Sequence, residues 1–206
     1  ILTEGRIQAA ADDDLERARK IALDNEATET ENTIPKIIRA NPFGPLNGML
    51  GPEGQRWAPI HGLLPHSKAI ACYEAIEALF ETHREEMDAH EMFTGTLISA
   101  VGGSGAIIEP CIYWPDVSYA VHAASMEPSH YAKLPELEAN PAAWEIAQKL
   151  KQALVDLFLD QGATHFQIGR TYRYRDSLDP AADKLLLDLK KSLDPKELMN
   201  PGSLGL

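Results

Sequence analysis

At 206 residues, with 44% apolar and 24% charged side chains, the chain suits one globular domain with room for a sizeable core. Nineteen basic against 31 acidic residues leave a net charge of −12. That balance excludes nucleic acid as a partner and argues against an anionic membrane surface, since both call for a basic face. No apolar run is long enough to span a bilayer. The chain opens at Ile1 without an initiating Met and so reads as a fragment. The missing leader therefore carries no weight, and a soluble cytoplasmic or periplasmic setting both stay open.

Residues 8–24 read as a helix, with Ala9, Ala10, Leu15, Ala18, Ile21 and Ala22 on one side. Residues 24–33 are acidic and Thr-rich, a loop. Residues 41–56 hold four glycines and three prolines and read as irregular. Residues 1–55 are thus an irregular lead-in, and 56–206 the core of a single domain. Arg56 to Gly62 reads as a strand, placed at a sheet edge or start by Pro59. An amphipathic helix follows over about 67–86, with Ala69, Cys72, Tyr73, Ile76, Leu79 and Phe80 as its stripe. Glu91–Ala100 and Ala106–Trp114 form a hairpin around Gly102-Gly103-Ser104-Gly105. Pro115-Asp116 ends it, and residues 117–140 are mixed. A second helix spans 141–161 with Trp144, Ile146, Ala147, Leu150, Leu154, Leu157 and Phe158 facing inward. Thr164 to Ile168 reads as a short strand, and Pro180 to Ser192 as the last helix. Strand, helix, hairpin, helix, strand, helix is an α+β order. It predicts an antiparallel sheet with helices mainly on one face, a ferredoxin-like core with additions.

Cys72 and Cys111 read as two buried free thiols. No spacing of His, Cys, Asp or Glu gives a metal site. His61 and His66 read as surface or capping imidazoles. Gly102–Gly105 lacks the lysine of a phosphate loop and reads as a turn. Two clusters can carry chemistry. In the first, Ile107, Glu109, Cys111 and Tyr113 share one face of a strand. Glu109 is either an edge-strand carboxylate in water or, with Tyr113, a polar pair able to hold or deprotonate a hydroxyl. The second is Arg170-Thr171-Tyr172-Arg173-Tyr174-Arg175, three arginines in six residues of an acidic protein. It is either a solvated charged loop or an anion or flavin site. The end, Leu193 to Leu206, is stiffened by Pro195 and Pro201. It either docks on its own domain or lies against a ligand.

The motif Leu193-Asp194-Pro195 … Met199-Asn200-Pro201-Gly202 resembles the C-terminal signature of FAD-linked oxidases of the vanillyl-alcohol oxidase and 4-cresol dehydrogenase type. Arg56–Ser67, Tyr113-Trp114-Pro115-Asp116 and Gly169-Arg170-Thr171 are similar to parts of the cap domain of that group. The resemblance covers roughly residues 40–206. It implies a substrate or cap domain that covers a flavin ring, with FAD held mainly by another domain of the same parent chain. Nothing in this sequence supplies that FAD-binding domain, so this fragment alone would be inactive. Arg170 inherits the role of polarising substrate or flavin, and Glu109 that of a base or water activator. Tyr113 and Tyr172 support them, Tyr172 or Tyr174 standing in for a Tyr that the family often carries where Gly169 stands. Asn200 and Gly202 would lie beside the flavin. The partners implied are a small phenolic, benzylic or hydroxylated substrate and an electron acceptor, oxygen or a cytochrome; a homodimer is open. The tail would then be a third wall of the flavin site, disordered or misplaced in this chain without the rest. The alternative is a non-catalytic ferredoxin-like domain that binds a ligand or protein.

Overall fold

A computed structural model describes residues 3–165, Gln167 and residues 169–206. The chain folds as two compact units, Ile1–Leu46 and Asn47–Leu206. The first unit holds α1 (Gln8–Asp24) and α2 (Thr33–Ala40). No residue of α1 is buried. Its ties are on the surface: Thr3 Oγ1 donates to the Ala11 carbonyl, and Arg39 pairs with Glu4 at 2.8 Å. The sequence reading has no counterpart for α2. Its Pro35 sits in the first turn, where a missing N–H costs nothing.

The second unit is an α+β fold built on one antiparallel sheet. Its strands are β1 (Arg56–Pro59), β2 (Gly62–Pro65), β3 (Phe93–Val101) and β4 (Gly105–Trp114). Strand β4 is central, paired with β3 on one side and with β1 and β2 on the other. Pro59 pairs with Cys111, and Gly62, three residues on, pairs with Ile108, three residues back. Both short strands therefore keep one register along β4, with Ile60 opposite Pro110 and His61 opposite Glu109. The run predicted over Arg56–Gly62 thus continues to Pro65, interrupted in the middle. Pro110 explains the gap: its carbonyl accepts from Ile60 N–H at 3.0 Å, but it has no N–H to return.

Helices α3 (His66–Thr82) and α7 (Pro141–Asp160) lie against β4 and carry the core. Cys72, Ile76 and Phe80 recur every fourth residue in α3, and Ala143, Ala147, Leu150, Leu154 and Phe158 follow the helical period in α7. They meet Ile108, Ile112 and Trp114 of β4. Trp144 and Tyr73, read as inward-facing, are instead 41% and 37% exposed, at the margins of their stripes. The helix expected over 67–86 breaks at His83, and α4 (Arg84–Asp88) follows. The mixed stretch 117–140 holds two short helices, α5 (Ala120–Ser125) and α6 (Pro128–Tyr131). Thr164 makes a single bridge to Leu63. The rest of the strand expected at Thr164–Ile168 includes Phe166 and Ile168, which lie outside the described residues. The last helix, α8, spans Pro180–Leu193.

One buried ion pair ties the sheet to α7. Asp116 accepts from Arg56 Nη1 at 3.0 Å, Trp114 Nε1 at 3.2 Å, Val117 N at 2.8 Å and Asn140 N at 3.0 Å. Arg56 also lies over the Tyr119 ring at 3.8 Å. The Asp116 carboxylate is thus fully partnered, and the largely buried Arg56 side chain has that carboxylate and the Trp114 and Tyr119 rings around it, the condition under which such a pair is tolerated. Asp116→Ala is expected to cost about 3–5 kcal/mol, because it leaves the Arg56 charge buried without its partner. Gly62→Ala is expected to cost about 1–3 kcal/mol, since a methyl there would meet Phe158 Cδ1 at 2.3 Å. Urea unfolding of the two variants measures both.

Candidate functional site

Alternation along β4 sorts its side chains. Ala106, Ile108, Pro110, Ile112 and Trp114 are buried, on the helix-covered side. Ile107, Glu109 and Tyr113 are half-buried on the other face. Cys111 shares that face and is buried. Tyr113 is the middle of an aromatic row across three strands: it stacks on Phe93 of β3 at 4.7 Å and on Trp57 of β1 at 6.0 Å. Glu109 lies four residues before Tyr113 on the same face, with His61 opposite.

His61 is 2% exposed, which corrects the expectation of a surface or capping imidazole. Its place on the edge strand turns its backbone groups away from β4. The His61 N–H donates to Tyr172 Oη at 3.3 Å, and its carbonyl accepts from His165 Nδ1 at 2.7 Å. The Tyr172 phenol in turn meets His61 Nδ1 at 2.7 Å. The three rings pack together, Tyr172 lying 4.8 Å from His61 and 4.3 Å from His165. Burial lowers His61 to about 4, with His165 adding to the effect, and burial also lowers His165. Both imidazoles are therefore neutral near pH 7. The phenol oxygen accepts the backbone N–H of His61 and shares one further hydrogen bond with its Nδ1. His165 Nε2 is left as a buried lone pair with no hydrogen-bond partner among the described residues. Burial raises Tyr172, and the Glu109 charge raises it further, which keeps the phenol protonated. Tyr113 is raised by burial first and by Cys111 and Glu109 after it. The Cys111 thiol is pushed up to about 11 by burial and Glu109, and Cys72 to about 11 by burial alone. Neither thiol is a nucleophile near neutrality.

The arginine cluster divides. Arg173 pairs with Asp156 at 2.9 Å and Asp176 at 2.7 Å. Arg175 grips both oxygens of Asp183, at 2.6 and 3.0 Å, and donates to the Gly205 carbonyl at 3.1 Å. Arg170 has no carboxylate partner among the described residues. It donates from Nη2 to the Pro201 carbonyl at 2.7 Å. A Cβ on Gly202 would stand 3.7 Å from Arg170 Nε. Gly202 has φ +78°, which glycine adopts without strain.

The tail is docked on its own unit, against the expectation of a disordered or misplaced end. The Asp194 carboxylate accepts from Leu198 N at 2.9 Å, Met199 N at 2.8 Å and Lys190 Nζ at 2.5 Å. These bonds, Lys190 foremost, hold its carboxyl at about 2. Leu204 N donates to the Gly169 carbonyl at 2.9 Å. Between α8 and the tail is an open apolar cavity of about 420 Å³, lined by Gly169, Leu189, Leu193, Met199, Asn200 and Leu204 among others.

No family model, curated protein or solved structure matches this chain. The geometry therefore stands by itself. Glu109, Tyr113 and Tyr172 share one electrostatic neighbourhood with His61 and His165. Arg170, Asn200 and Gly202 share another, along the tail. No hydrogen bond or ion pair among the described residues joins Arg170 to Glu109, Tyr113 or Tyr172. The two histidines are the members that sequence reasoning missed. The only signal was His61 in a strand pattern between Ile60 and Gly62, two residues after the edge-marking Pro59.

Unfolded histidines titrate near 6.5, and folded His61 near 4. Below 6.5 the unfolded chain binds the extra proton, so stability is complete above that pH and falls as pH drops toward 4. The loss from His61 is up to about 3 kcal/mol. Urea midpoints at pH 7.5, 6 and 5 measure it, and His61→Gln is expected to flatten the dependence. An equal slope in wild type and variant would remove His61 as its source.

Proposed function

We propose that the second unit is the substrate or cap domain of an FAD-dependent oxidoreductase. In this reading its half-open sheet face and its tail shape the pocket for oxidation of a phenolic, benzylic or hydroxylated carbon. FAD itself is held mainly by another domain of the parent chain. The observation that carries the proposal is the state of Arg170. Of the three arginines in its loop, it alone keeps a guanidinium clear of carboxylate among the described residues, beside the glycine-containing end that resembles the flavin-contacting signature. An uncompensated, permanently charged donor of this kind fits an anionic ring or phenolate.

When bound, FAD supplies the hydride acceptor. The chain's own residues bind and orient. Arg170 stabilises the negative charge that develops on substrate or flavin, and Asn200 and Gly202 let the tail approach a flat ring. Glu109 takes a proton from a substrate hydroxyl or from water. Tyr113, stacked between Phe93 and Trp57, offers an aromatic wall. Tyr172, held through its phenol oxygen by His61, supports them from the buried side. Electrons pass on to oxygen or a cytochrome.

A second reading has a specific observation in its favour. Asp194, Lys190, Arg170 and Gly169 already secure the tail within its own unit. That suits a ferredoxin-like domain that binds a ligand or protein without catalysis. Purification of the full-length parent separates the two. The first reading predicts bound flavin, reduced anaerobically by a 4-alkylphenol, and slowed on the order of 10²-fold by Arg170→Ala. A parent without flavin leaves the second reading. Unchanged flavin reduction in the variant, with 4-alkylphenols and hydroxy acids alike, would sink the assignment of Arg170.

A further inference from the structure

We propose that the outer edge of β3 is the seam of a homodimer, in which β3 pairs antiparallel with β3 of a second copy about a two-fold axis at Leu97. This rests on the sheet alone and is independent of the flavoenzyme reading. Because Ile60 N–H donates to the Pro110 carbonyl, even-numbered residues of β4 turn their backbone groups toward β1 and β2. Odd-numbered residues turn theirs toward β3. Phe93, Gly95, Leu97, Ser99 and Val101 pair with those odd positions and use their backbone groups there. Thr94, Thr96, Ile98 and Ala100 therefore direct their N–H and C=O groups outward. No described residue receives them.

The two edges of the sheet are treated differently. On the β1–β2 side, Pro59 and Pro65 remove donors, Leu63 is bridged to Thr164, and His61 is bonded to Tyr172 and His165. Strand β3 has nine residues, Phe-Thr-Gly-Thr-Leu-Ile-Ser-Ala-Val, with no proline and no charge. Such an edge lacks the features that keep monomeric sheets from pairing. It also carries exposed apolar side chains: Phe93 41%, Leu97 and Ile98 54%, Val101 40%.

The occupant follows from the pattern, which is self-complementary. An antiparallel copy centred on Leu97 sets Thr94 opposite Ala100 and Thr96 opposite Ile98. Every outward donor of these four residues then finds an outward acceptor on the partner. On the open face, Phe93 meets the partner's Val101 and Leu97 meets the partner's Leu97, so apolar side chains pair along the seam. A one-residue slip would set outward groups against residues already committed to β4.

Sedimentation equilibrium of this chain is expected to give a dimer mass. Leu97→Lys and Leu97→Glu, each replacing a side chain at the axis with a self-repelling charge, are expected to be folded monomers. Their equimolar mixture is expected to regain the dimer mass. Amide exchange at Thr94, Thr96, Ile98 and Ala100 should be slow in the dimer and at least about tenfold faster in Leu97→Lys, with the amides of Gly95 and Ser99, bonded to β4, unchanged. Should Leu97→Lys lose its circular dichroism, Ile98→Pro repeats the test, since it deletes an outward donor that β4 does not use. A monomeric wild type overturns the proposal, as does a dimer that survives both variants. Slow exchange at the same four amides in a monomeric longer parent overturns it too, by giving the edge to a strand of that parent.

Discussion

Strand β4 imposes a two-residue alternation on everything around it. Its even residues sit under α3 and α7 and complete the core. Its odd residues lie on the face turned away from those helices, where Ile107, Glu109 and Tyr113 are half-buried and Cys111 is buried. The same alternation governs the backbone. It turns the outward groups of His61 and Leu63 toward Thr164, His165 and Tyr172, and those of Thr94 through Ala100 toward nothing in the described chain. A shift of one residue in register would exchange core and open face throughout. Pro110 interrupts this ladder at one point, and the buried histidine cluster stands beside that interruption.

The electrostatic design is a separation of roles among like residues. In an acidic protein, carboxylates are plentiful, and Arg173 and Arg175 are taken up by Asp156, Asp176 and Asp183. They act as staples between the loop and α7 and α8. Arg56 is buried with Asp116 and serves the junction of sheet and helix. Arg170 differs because its donor meets a carbonyl, which orients the guanidinium without cancelling its charge. The histidines follow the opposite logic: burial withholds protons from His61 and His165, so they act as neutral hydrogen-bonding groups that hold Tyr172 in place.

Much of the layout was legible along the chain. The helical stripes Cys72-Ile76-Phe80 and Ala147-Leu150-Leu154-Phe158 and the hairpin around Gly102–Gly105 are local patterns, and local physics suffices for them. Glu109 and Tyr113 on one face came from strand periodicity alone. The break at His83, the short helices near Ala120 and Pro128, and the interruption at Ile60-His61 were not legible. The interruption shows why: Ile60 depends on Pro110, fifty residues away along the chain, and no local pattern announces that partner.

By itself, then, the sequence determined the α+β class, the long helices α3, α7 and α8 and the two faces of β4, because each follows from neighbouring residues and their periodicity. Only the tertiary structure decided which charges remain uncompensated and which polar groups are buried. Arg170 and Arg173 are indistinguishable by spacing, and His61 looks like any strand histidine. Their difference lies in what comes to meet them: Pro201, Asp156 and Tyr172, brought close by packing across long stretches of chain.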